Sequence, residues 1–117
     1  MPEVITVTAA LRVGSGLMYG QFSKTATQVG SENVAGTQSI ATASTAIDFG
    51  AVTTVGDVYV ENTDATNYVE VDLATTFDKW PQKILPGKAI LLHPQSVTMF
   101  AKANTAAVAI RVVAAEL

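Results

Sequence analysis

Apolar and polar residues alternate with a period of two over most of this chain, and no segment carries a convincing apolar stripe of helical period. The alternation is clearest in the centre, GDVYVENTDATNYVEVDL, Gly56 to Leu73. Val58 and Val60 alternate there with Tyr59 and Glu61, and Val69, Val71 and Leu73 with Tyr68, Glu70 and Asp72. Such a period places one side of each strand in a core and the other in water. The residues between, Asn62 to Thr66, are types that hydrogen-bond to their own backbone in turns, so the stretch predicts a β-hairpin.

The same pattern predicts a first strand over Val4–Val13, with Ile5, Val7, Ala9, Leu11 and Val13 on one side and Thr6, Thr8 and Arg12 on the other. Gly14-Ser15-Gly16 turns the chain into a second strand, Leu17–Ser23. From Lys24 to Ala46 the chain is Thr, Ser, Ala, Gln and Gly with only two charges, Lys24 and Glu32. That composition suits a surface excursion with one short strand near Gln38–Ala41, and equally an extended arm lying on a neighbouring subunit. Ile47–Val52 predicts a strand fragment with a bulge at Gly50. Leu85-Pro86-Gly87-Lys88 carries the signature of a type II turn, because Pro presets φ and Gly supplies a positive one. Short strands follow at Ala89–Leu92, stopped by His93-Pro94, at Val97–Ala103 with Val97, Met99 and Ala101 on one side, and at Ala106–Val113 with Val108, Ile110 and Val112 opposed to Arg111. About eight short strands separated by turn signals predict a single all-β domain over 1–117, an antiparallel β-sandwich of jelly-roll type.

Composition narrows the chemistry. At 117 residues the chain can bury a core without staples, and with no cysteine it has neither a disulfide framework nor a thiolate zinc site. The net charge of −3 and the scattered seven Lys and Arg argue against a nucleic-acid partner. No apolar run approaches the roughly 18 residues of a membrane-spanning helix, and the start lacks the pattern of a signal peptide, so no membrane partner is expected. Charged residues make up only 15%, below the usual quarter, a hint that part of the surface is covered in an assembly.

Candidate sites are few. Gly14–Gly20 fails the spacing of both phosphate-binding glycine motifs. His93 is the only histidine and suits a surface or contact position better than a catalytic base. Glu70 and Asp72 share one side of a strand, about 7 Å apart by strand rise, which fits a carboxylate pair, part of a calcium site or a solvated sheet face. Tyr59, Tyr68 and Trp80 could form an aromatic platform for sugar, or pack across strands. The sequence therefore offers no catalytic, cofactor or metal residue set.

The second half also resembles a known class. The central stretch, then LPGKAILL, then MFAKANTAAVAIRVVAAEL, is similar to small structural proteins of tailed-bacteriophage virions. There an N-x-D-x-TNYVEV-like motif precedes a Pro-Gly turn and a YAKA-T-A strand pair with a terminal acidic residue. Here these are Asn62, Asp64, Thr66–Val71, Pro86-Gly87, Phe100–Ala103, Thr105-Ala106 and Glu116, with Phe100 where the pattern has Tyr. GTQSIATASTAIDFG, Gly36–Gly50, fits the same style. The resemblance implies a non-enzymatic virion component without cofactor. Most simply it is a capsid decoration (cement) protein on the outer shell, a homo-oligomer with a trimer favoured, partnered by the major capsid protein or another virion protein. A tail, collar or fibre-base protein is the alternative within the class, and a carbohydrate-binding module the alternative outside it. Contact residues are expected in the first strand and the Thr-rich stretch: Pro2, Val4, Ile5, Thr25, Thr27, Thr37, Ile40 and Thr42.

Overall fold

The computed structural model describes residues 4–12, 18–27, 33–53, 55–94 and 98–116, and the described residues contain ten strands and no helix. The strands are β1 Val4–Arg12, β2 Met18–Thr27, β3 Asn33–Ile40, β4 Thr45–Ala46, β5 Val55–Asn62, β6 Val69–Asp72, β7 Gln82–Ile84, β8 Ala89–Leu92, β9 Phe100–Ala103 and β10 Val108–Glu116. All pairings are antiparallel. One sheet has the order β3-β10-β5-β8 and a second β4-β9-β6-β7, while β1 and β2 pair only with each other. Counted from β3, the two sheets read 1-8-3-6 and 2-7-4-5, which is the strand order of a jelly roll. The fold expected from the alternation is therefore present, with an additional N-terminal hairpin.

Both sheets contribute to one core. Val58, Val60, Val108, Ile110 and Val112 come from the first, and Val69, Val71, Ile84, Ala101 and Ala103 from the second. Each strand delivers these residues by alternation, as in β10 with its buried 108, 110, 112 and 114 between exposed 109 and 111. Full burial of a Val or Ile is worth roughly 1.5–3 kcal/mol, so these inward positions dominate the packing.

The hairpin expected at 56–73 does not form. β5 pairs with β10 and β8, and β6 pairs with β7 and β9, so the chain crosses from one sheet to the other between them. Alternation is satisfied either way. Crossing sets Val58 and Val60 facing Val69 and Val71 through the core, where both pairs are fully buried. The linking residues wind on their own side chains: Asp64 Oδ2 accepts from the amides of Thr66 (2.9 Å) and Asn67 (2.6 Å), and Asn62 Oδ1 from the amide of Asp64 (2.8 Å). The N-x-D-x-TN motif is thus a sandwich corner.

Three further expectations are corrected. In its described residues the Thr/Ser-rich stretch at 24–46 is mostly strand: β2 runs to Thr27, and β3 is an eight-residue edge whose terminal Ile40 lies in the core. The stretch 47–52 is a loop rather than a strand. It is held by burial of Ile47, Phe49 and Val52, and Gly50 sits in a turn at φ 58°, its amide bonded to Asp48 Oδ1, and forms no bulge. Asp72 shares the parity of Glu70 but is buried, because the 73–81 connection folds back over it. The Pro86-Gly87 turn is as expected, with Gly87 at φ 73° and the Lys88 amide donating to Leu85 O. The turn expected at Gly14–Gly16 lies outside the described residues.

Candidate interaction surfaces

Strand parity decides what each sheet shows to the outside. On the β3-β10-β5-β8 sheet, the register aligns Thr37, Arg111, Glu61 and Ala89 in one row and Ala35, Val113, Tyr59 and Leu91 in the next. The first row is ionic at its centre. Arg111 Nη1 lies 3.9 Å from Glu61 Oε1, and its guanidinium stands 5.8 Å from the centre of the Tyr59 ring. The Tyr59 hydroxyl donates to Glu61 Oε1 at 3.0 Å. That hydrogen bond is the main reason the phenol is held above its ordinary value, with partial burial and the Glu61 charge adding and Arg111 opposing.

The second row is apolar and is overhung by the N-terminal hairpin. Ile5 and Val7 of β1 face Tyr59, Leu91, Val113 and Ala115 across a cleft of about 330 Å³. The hairpin shares no ladder with the sandwich and meets it at this cleft. At the rim of this face His93 Nδ1 lies 3.5 Å from Asp57 Oδ1, with both side chains partly in water.

The outer face of the β4-β9-β6-β7 sheet differs. Glu70 is flanked in register by Lys83 and Lys102. Lys83 Nζ stands 4.3 Å from the centre of the Tyr68 ring and Lys102 Nζ 4.5 Å from that of Phe77. Phe77 takes a positive φ of 54° in the 73–81 connection. Asp72 anchors that connection by accepting from the amides of Leu73 (2.6 Å), Lys79 (2.9 Å) and Trp80 (2.7 Å). Its carboxylate is spent on backbone donors, which removes the carboxylate-pair and calcium readings for Glu70 and Asp72. The described residues hold no group of three or more His, Cys, Asp or Glu placed to bind a metal.

The expected contact residues separate. Val4 is strongly exposed at 68%, Ile5 is half-buried over the cleft, and Thr25, Thr37 and Thr42 are exposed. Ile40 is fully buried and cannot contact a partner in the folded chain. Pro2 lies outside the described residues, and Thr27 is described in its backbone alone. The aromatic platform does not assemble. Tyr59 sits on the outer face of one sheet and Tyr68 on the outer face of the other, while Trp80 lies beyond the far end of β6, about 13 Å along the strand from Tyr68. Sequence reasoning missed Leu91, Val113 and Ala115. Their parity was legible, but their meeting with β1 depends on where the hairpin folds.

These features define an all-β domain of jelly-roll strand order with a distinct outer face on each sheet. No protein family, no curated protein and no solved structure matches the chain.

Proposed function

We propose that this chain is a non-enzymatic structural protein of a tailed-bacteriophage virion, acting as a capsid decoration protein that binds the outer shell and braces neighbouring capsomers. The observation that carries the reading is the β1–β2 hairpin, which forms a two-stranded sheet of its own beside the sandwich, the two lining one cleft. A two-stranded hairpin has little stability alone, so such an element gains most from a surface that buries it. With Val4 exposed at the open end of the hairpin, the element offers to a shell subunit an apolar side chain and strand edges that no ladder among the described residues covers. The jelly-roll order, the low charge content and the resemblance of the 62–71, 86–87 and 100–106 stretches support the same reading.

The separation of Tyr59, Tyr68 and Trp80 weighs against a sugar-binding platform. A tail, collar or fibre-base position would use the same surfaces, and the test separates the two. Purified chain is mixed with undecorated shells or with isolated tails of the same phage and sedimented. Decoration requires saturable binding to shells, reduced by Val4→Asp at unchanged thermal stability. Binding to tails alone moves the protein to the runner-up position, and binding to neither removes the virion reading.

A further inference from the structure

The two four-stranded sheets of the sandwich end in four edges, and three of these are blunted. β4 is two residues long. β7 has three residues, follows Pro81 and carries an exposed Lys83. β8 has four, begins directly after Lys88 and stops two residues before Pro94. Short length, Lys and Pro are the usual means by which sheets keep their edges from pairing.

The fourth edge, β3, has none of them. Its eight residues, NVAGTQSI, contain neither a charge nor a Pro. β10 pairs with it along its whole length on one side. On the other side no backbone hydrogen bond from a described residue reaches positions 34–39. Its outward side chains, Ala35, Thr37 and Ser39, are small and exposed. Gln38 does not shield the edge, because its amide is folded back onto Ala46 O (2.8 Å) and the Asp48 amide (3.0 Å). Beside it Gly36 leaves open space next to a cleft of about 160 Å³ walled by Val34, Thr37, Asp48 and Val112.

We propose that β3 is a self-association edge. Two copies of the chain pair their β3 strands antiparallel about a two-fold axis at Thr37, joining two four-stranded sheets into one of eight. A second copy is favoured over a different partner because an uncharged strand carries no electrostatic address, whereas a two-fold contact needs only self-complementarity. The axis at Thr37 is the one that sets the three small outward side chains of the two strands against each other: Ala35 falls opposite Ser39 of the partner subunit, and Thr37 opposite its own copy. The inference goes beyond the virion reading and does not rest on it. It assigns a dimer where the resemblance implies a trimer.

The test is light scattering of the chain, of Thr37→Lys, of Thr37→Glu and of an equimolar mixture of the two. Like charges set directly opposite each other weaken a strand pair, and opposite charges restore it. Thr37 neighbours Arg111 within its own sheet, so the two variants differ in local fit, and the mixture cancels that difference. The expected result is twice the chain mass of 12.2 kDa for the unchanged protein. Each variant alone dissociates about tenfold more readily, and the mixture returns to within about threefold of the starting affinity. As a second measurement, the chain has no cysteine, so Thr37→Cys places a lone thiol at the axis. It should form a disulfide-linked dimer faster than Ser44→Cys, which is exposed but off the edge. A monomer at every concentration, a trimer, a dimer that both charge variants leave unchanged, or equal cross-linking at 37 and 44 would each overturn the proposal.

Discussion

The Asn62 side-chain amide donates to the backbone oxygen of Ile84 at 2.9 Å, a bond that ties the end of β5 in one sheet to the end of β7 in the other. The same Nδ2 donates to Asn67 O at 2.9 Å, and Oδ1 accepts the Asp64 amide. The Asn62 backbone completes the joint by donating to Lys88 O and accepting from the Gly87 amide. One fully buried residue thus holds the corner loop and the Pro-Gly turn together. Asn62→Ala should cost about 2–4 kcal/mol in urea denaturation, since it leaves buried carbonyls without donors. Asn62→Asp has the same shape but offers oxygen where both carbonyls need N–H, and should cost at least as much.

Asp72 plays the matching part for the 73–81 connection. Asp72→Ala strips three backbone amides of their acceptor and should lower stability by about 2–3 kcal/mol. Because Trp80 is the only tryptophan and its amide is one of the three, its fluorescence reports the loop directly. A red-shifted emission before global unfolding is expected in the variant and not in the parent chain.

Gly87 tests backbone strain in isolation. A Cβ built there meets nothing within 4 Å, so Gly87→Ala is penalised only for the positive φ of 73°. The expected loss is about 1–2 kcal/mol, with Gly87→Asn losing less because Asn tolerates the left-handed region. Thermal melts of the two variants beside the parent check the ranking.

Two groups carry pH dependence of opposite sign. Asp64 lies below its ordinary value because the amides of Asn67 and then Thr66 donate to its carboxylate. A folded value below the unfolded one means stability that is present above the ordinary carboxylate range and lost as pH falls through the folded value. Carbon-detected NMR titration should show Asp64 titrating below the ordinary carboxylate value, and Asp64→Asn should flatten the acid limb of stability. Tyr59 is raised, so its contribution is present below the ordinary phenol value and lost as pH climbs through the folded one. Ultraviolet tyrosinate titration of Glu61→Gln should show the Tyr59 transition moving down.

How far the sequence could be read follows from the physics of each element. In β5, β9 and β10 the alternation named the inward side chains, because burial on one face and water on the other is a local constraint on each strand. Pro86-Gly87 was legible because the two residues carry their own dihedral preferences. β3 reads in the sequence only as a short strand near Gln38–Ala41, because most of its side chains are small or polar and β10 beside it extends it back to Asn33. The aromatic platform failed for the reason the hairpin did: residues 62–69 pass between the sheets and carry Tyr59 and Tyr68 to opposite outer faces.

By itself, then, the sequence determined the inward side chains of β5, β9 and β10, the Pro86-Gly87 turn and that the domain is all-β. Only the tertiary structure decided which strands are neighbours. β6 and β7 are the one pair of consecutive strands in the sandwich that hydrogen-bond to each other, and every other ladder joins segments distant in sequence. Alternation sets the face of a strand and is blind to its partner. Partner choice was settled by how the inward faces of all eight strands could be buried at once, an outcome no single stretch encodes.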